Sequence, residues 1–130
     1  MQNRNSVILV VDDNATNLKL VLKLLKFEGY QIVTATDAEE AQAVVQRSSP
    51  DLILMDIALP GMDGLTLTRK LKGDKKTAHI VVVGLSASAM KGDDQKAFSA
   101  GCDGYITKPI NTRELQSQVA EFLEHAPNAK

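Results

Sequence analysis

The chain has 130 residues, of which 44% are hydrophobic and 24% charged, the size and balance of one globular domain, which excludes a disordered or fibrous chain and leaves no room for a second domain. Fifteen basic residues stand against sixteen acidic ones, for a net charge of −1, so there is no electrostatic footprint for nucleic acid and no basic run that would hold an anionic membrane. The one cysteine, Cys102, cannot close an internal disulfide, and the first apolar run is too short for a signal-peptide core or a membrane span, which together predict a cytoplasmic protein resting on its hydrophobic core.

A short polar N-terminus leads into the apolar run Val7–Val11, the first predicted strand, which ends at Asp12 and Asp13. Leu18, Val21, Leu22 and Leu25 then recur at helical spacing as a core-facing stripe, with Gly29 placed as the stop. Gln31–Ala35 reads as the second strand, and Thr36 with Glu39 has the spacing of a capping box opening the second helix. Leu52–Met55 is the third strand, followed at once by Asp56, while Asp63 before Gly64 has the character of a turn residue. Ile80–Gly84 is the fourth strand and Ser86 lies just beyond it. Between Ala89 and Ala100 the apolar positions are sparse and small, which predicts a weakly docked, solvent-facing helix. Gly104–Thr107 is the fifth strand, ending at Lys108 and Pro109. Asn111 with Glu114 has capping-box spacing, Leu115, Val119, Phe122 and Leu123 form the last helical stripe, and the tail 125–130 is expected to fray.

This alternation of strand and helix predicts an α/β fold. The runs VILVV, LILM and IVVVG contain no polar alternation, as expected of parallel strands covered by helices on both faces. Right-handed crossovers leave two common strand orders open for a doubly wound sheet of this kind. In either order the loops after the strands share one edge, so Asp12, Asp13, Asp56, Ser86 and Lys108 are gathered there. Carboxylates about 5 Å apart repel by roughly 3 kcal/mol per pair at an effective dielectric near 20. Lys108 offsets only part of this. Either one carboxyl keeps its proton or a cation binds, and an all-oxygen site with few protein ligands favours Mg²⁺. A carboxylate beside Mg²⁺, with an ammonium and a hydroxyl nearby, is equipped to attack a phosphoryl group and hold its oxygens.

Four motifs occur together and in order: the acidic pair in VVDDN, the segment LILMDIALPGMDG, the hydroxyl in VVVGLSA and the lysine-proline in GYITKP. With them, residues 6–124 resemble the receiver domain of two-component response regulators, nearest to single-domain regulators of the DivK kind and to receivers of hybrid histidine kinases. The resemblance implies a CheY-like, flavodoxin-like five-stranded parallel sheet of order 2-1-3-4-5 with five helices. It implies that Asp56 is the phosphoacceptor, that Asp12 and Asp13 hold Mg²⁺ with Asp56 and the backbone carbonyl of Ala58, and that Lys108 pairs with a phosphoryl oxygen. Ser86 and Tyr105 take the place of the switch pair, and Pro109 that of a cis proline. The implied partners are a sensor histidine kinase or histidine phosphotransfer protein and a downstream protein docking on the fourth helix, fifth strand and fifth helix. Nucleic acid and membrane are not among them, and the expected state is a monomer or weak dimer. Such a chain signals and is not an enzyme beyond its own phosphorylation and dephosphorylation. Ala58 and Ser88, two positions beyond Asp56 and Ser86, offer no amide or carboxylate to orient a hydrolytic water, which predicts a long-lived phosphoryl group. Gly84, where alanine is frequent in the family, is expected to loosen its strand.

Other readings compete. Asp12 and Asp13 taken alone are ordinary helix-capping residues, Asp56 alone an ordinary turn residue, and Tyr105 alone a packed strand aromatic. A small Mg²⁺-dependent phosphohydrolase with an aspartate nucleophile would place nucleophile and acid two residues apart on one loop, unlike the spacing here. A nucleotide or flavin binder would show a glycine-rich loop after the first strand, and none follows Val11. The initiating methionine and charged tail favour a complete protein over a receiver excised from a hybrid kinase or larger regulator.

Overall fold

The computed structural model describes residues 6–57, 64–86, 93–107 and 113–124. The strands are β1 (Val7–Val11), β2 (Gln31–Ala35), β3 (Leu52–Asp56), β4 (Val81–Ser86) and β5 (Gly104–Thr107). The helices are α1 (Ala15–Lys26), α2 (Ala38–Ser48), α3 (Gly64–Gly73), α4 (Asp93–Ser99) and α5 (Leu115–Glu124). All strand pairs are parallel, in the order β2-β1-β3-β4-β5. The chain therefore reverses its direction of winding between β1 and β3, and a crevice opens beyond their C-terminal ends. Among the described residues no helix is long and apolar enough to cross a membrane.

In β1, β3 and β4 successive side chains divide between two buried layers, which is why these three strands read as unbroken apolar runs. Leu9, Val11, Ile53, Met55 and Val82 pack with Ala41, Val45, Leu67, Leu71 and Ala97 on the side of α2, α3 and α4. Ile8, Val10, Leu54, Val83 and Leu85 pack with Val21, Leu25, Leu115, Val119 and Leu123 on the side of α1 and α5. Within α1, Val21 and Leu25 are buried and Leu18 packs on them from the margin, as the helical spacing predicts. Gly29 adopts a φ of 91° and its N–H closes on the Lys26 carbonyl at 2.9 Å, confirming the stop.

Three local expectations shift. The box opening α2 lies one residue later than Thr36 and Glu39. Asp37 is the cap and accepts the Glu40 N–H at 2.8 Å, while the Glu40 carboxylate reaches back to the Thr36 N–H at 2.6 Å. Strand β3 runs on through Asp56, and β4 through Ser86, because Asp56 pairs with Leu85 and Ser86 with Thr107. Neighbouring backbone sets those ends, whatever the polarity of the side chain. Of the described side chains in α4, only Ala97 is buried and Phe98 is half exposed, consistent with a lightly anchored helix.

Candidate functional site

Asp12 follows β1 directly, and its N–H extends the ladder to the Ala35 carbonyl at 3.0 Å. Its side chain is 1% exposed. One carboxylate oxygen, Oδ1, accepts the Asn14 N–H at 2.9 Å, and Oδ2 accepts from Asn17 Nδ2 at 3.4 Å. Asn14 is in turn the cap of α1, its side-chain oxygen taking the Asn17 N–H at 3.0 Å. The loop that ends β1 and starts α1 thereby turns Asp12 inward and leaves Asp13 exposed.

Asp56 closes β3 and is 4% exposed. A carboxylate oxygen from each of Asp12, Asp13 and Asp56 lies within 4.8 Å of the others. At that separation two unit charges repel by roughly 3 kcal/mol at an effective dielectric near 20. An oxygen-only donor set of two sheltered carboxylates and one open to solvent suits a hard divalent cation that retains water, and Mg²⁺ fits that description.

Ser86 ends β4 and is also buried, at 4% exposed. The strand register sets it one residue beyond Leu85, the partner of Asp56, so its hydroxyl belongs to the strand beside the acidic cluster. Tyr105 pairs with Gly84 across β4 and β5 and packs, partly buried, against the layer beneath α3 and α4. The structure thus brings together Asp12, Asp13 and Asp56, and sets Ser86 and Tyr105 on the two strands that follow. Lys108, Pro109, Ala58 and Ser88 lie outside the described residues, as do Asp63 and Asn111.

Sequence reading did not single out the residues that hold these groups in place. Asn14 carries a recognisable signal, being a preferred cap residue ahead of a helical stripe. Asn17 carries none. Gly64 opens α3 with its N–H on the Ile57 carbonyl at 3.3 Å. A Cβ at Gly64 would lie 2.3 Å from the Asp56 carbonyl oxygen. Buried Thr68, one turn along α3, donates its hydroxyl to the Gly64 carbonyl at 2.8 Å.

Residues 8–120 match the family model described as response regulator receiver domain. The chain is 38% identical over 119 residues to the polar-differentiation response regulator DivK of Brucella ovis, covering 92% of this chain and 97% of that one. Its fold superposes on a response regulator from Chloroflexus aurantiacus with a TM-score of 0.87 at 29% identity, covering 92% of this chain and 98% of the other. The receiver domain of a sensor histidine kinase from Pseudomonas aeruginosa superposes with a TM-score of 0.83 at 30% identity, over 92% and 98% of the two chains. That structure is described as having a magnesium ion coordinated in the active site cleft.

Proposed function

The chain belongs to the response regulator receiver domain family, and from that premise we propose that it stores a signal as a phosphoryl group on Asp56. The observation that carries this reading is the meeting of three carboxylates within 4.8 Å at the point where the sheet reverses direction. Asp12, Asp13 and Asp56, with the carbonyl of Ala58, are the groups that would hold Mg²⁺. Bound there, the ion would neutralise charge on the acids and on the phosphoryl oxygens. An Asp56 carboxylate oxygen forms the bond to phosphorus as the bond from phosphorus to the donor's histidine nitrogen breaks. The Lys108 ammonium and the Ser86 hydroxyl then donate to phosphoryl oxygens. Ser86 is well sited for this, since it already lies buried on the neighbouring strand.

The partner that supplies the phosphoryl group is a sensor histidine kinase or histidine phosphotransfer protein. Output is a population shift of the surface formed by α4, β5 and α5, with Tyr105 following Ser86, toward a form that a downstream protein binds. Moving such an equilibrium from 1:99 to 99:1 takes about 5.5 kcal/mol of differential interaction, within reach of charge-assisted hydrogen bonds from Lys108, Ser86 and nearby backbone amides at roughly 1.5–3 kcal/mol each. In this reading the receiver unit spans 6–124, acts in the cytoplasm as a monomer or weak dimer, and turns over no substrate other than its own phosphoryl group.

The test is an intact-mass measurement after incubation with acetyl phosphate and Mg²⁺. Wild type is expected to gain one phosphate, Asp56→Asn none, and Lys108→Ala to gain it more slowly for want of the ammonium that would pair with the phosphoryl oxygens. A phosphate-sized gain that persists in Asp56→Asn would remove Asp56 as the acceptor.

A further inference from the structure

We infer that the outer face formed by α1 and α5 is a self-association surface, on which a second copy of this chain docks with its α1 over this α5 and its α5 over this α1. No residue of the acidic cluster takes part, and the association needs neither cation nor phosphoryl group. Helix α1 carries more apolar surface than its core stripe uses. Leu20, Leu24 and Phe27 recur at i, i+4 and i+7, roughly a third of a turn away from Val21 and Leu25. Leu20 and Leu24 are only partly buried, and Phe27 is 86% exposed. Single exposed apolar side chains need no explanation, whereas a contiguous row marks a contact surface.

The charges on either side of this row identify what covers it. Along one edge Lys19, Lys23 and Lys26 repeat the same spacing, all exposed, and α1 has no acidic residue. Along the other edge lies α5, where Gln116 Nε2 donates to the Leu24 carbonyl at 2.8 Å. Its exposed row is Ser117, Glu121 and Glu124, and α5 has no basic residue. Within one molecule the apolar row keeps the two sets of charge apart, and among the described residues no lysine of α1 is ion-paired with a glutamate of α5. A two-fold axis along the groove between the helices lays the basic row of each copy against the acidic row of the other. It also brings the two apolar rows together, which makes the contact self-complementary. Neighbouring helices about 8–10 Å apart and about 18 Å long cover less than the ~800 Å² per partner of a standard interface, so the dimer is weak and concentration-dependent.

Sedimentation velocity of the full chain from about 1 µM to about 1 mM tests this. Wild type is expected to shift from monomer toward dimer across that range. The double variants Lys23→Glu with Lys26→Glu, and Glu121→Lys with Glu124→Lys, set like charges opposite each other and are each expected to weaken association at least about tenfold. An equimolar mixture of the two restores opposite charges at both helix pairs and is expected to associate as wild type does. Phe27→Ser removes the aromatic anchor at a position too open to hold the core, and is expected to weaken association about tenfold. Urea midpoints of the variants show that they fold. Wild type that stays monomeric at the highest concentration would overturn the inference, as would association untouched by Phe27→Ser or a mixture of folded variants that stays monomeric. Association that survives both charge reversals would place the contact on another face and overturn it as well.

Discussion

Gly64 and Gly84 look alike in the sequence and face opposite demands in the fold. A Cβ on Gly64 would stand 2.3 Å from the Asp56 carbonyl oxygen and 2.8 Å from Ile57 Cα. Both are backbone atoms of the segment that presents the Asp56 carboxylate, so the clash is relieved only by displacing it. Gly64→Ala is expected to lose roughly 1–3 kcal/mol of stability, as overpacking does, and to slow labelling by acetyl phosphate. Urea unfolding and intact mass read the two effects. A Cβ on Gly84, in the middle of β4, would meet Ile57 Cγ2 at 3.4 Å, Cys102 Sγ at 3.5 Å and Ala97 Cβ at 3.7 Å, all ordinary contacts. Gly84→Ala is therefore expected to raise stability by about 0.5–1 kcal/mol, and a lowered urea midpoint would contradict that packing. The contrast was illegible in the string because it is set by chain segments distant in sequence. Asp12 and Asp56 were legible for the opposite reason: each directly follows an apolar run, and strand ends converge in any parallel α/β sheet.

The ends of the elements are governed by a few polar anchors, of which Lys72 on α3 is the fullest case. Its ammonium donates to the Ile80 carbonyl at 2.6 Å, to the Ala78 carbonyl at 3.3 Å and to Asp103 Oδ2 at 2.8 Å. Asp103 Oδ2 also accepts the Val82 N–H at 2.9 Å, so one cation joins the end of α3 to the starts of β4 and β5. The pair is only partly screened, with side chains 18% and 34% exposed. Lys72→Met retains the stem and removes these bonds, and is expected to lower stability by about 2 kcal/mol, the range of a hydrogen bond to a charged group. Chemical denaturation checks this, and a loss below about 0.5 kcal/mol would place Lys72 with ordinary surface pairs. Neither Lys72 nor Asp103 was marked in the sequence, where each reads as a solvated charge. Strands β1, β3 and β4 were legible because their double burial leaves unbroken apolar runs, and the stripes of α1 and α5 because they face one layer only. What the pattern did not reach was the last residue of each element: Asp56 and Ser86 are strand residues by virtue of their partners, and α2 is capped by Asp37 because its carboxylate meets the Glu40 N–H.

For the molecule as a whole, each of the two layers encloses a buried side chain of weak acidity, Cys102 in one and Tyr30 in the other. Cys102 sits in the layer beneath α2, α3 and α4. Burial pushes its thiol above the ordinary range, with the Asp103 carboxylate adding to the rise and Thr68, Lys72 and Gly84 opposing it. Tyr30 sits in the layer beneath α1 and α5, and burial raises its phenol, helped by Glu28 and Glu124. In both cases the folded protein keeps its proton at a pH where the unfolded chain has released it. Stability that depends on pH through the bound-proton difference then falls as pH rises. Below about pH 8.5, the ordinary thiol value, both groups are protonated in both states and contribute no slope. Above it the Cys102 contribution declines until its raised folded value is passed, and above about pH 10 Tyr30 adds a second decline. Urea midpoints measured from pH 7 to 10.5 are accordingly expected to stay level and then drop in two stages. Cys102→Ala should flatten the first stage and Tyr30→Phe the second, each against its own neutral-pH midpoint. A wild-type midpoint that held level to pH 10.5 would mean that neither layer resists ionisation of the group it encloses, contrary to their exposures of 6% and 8%.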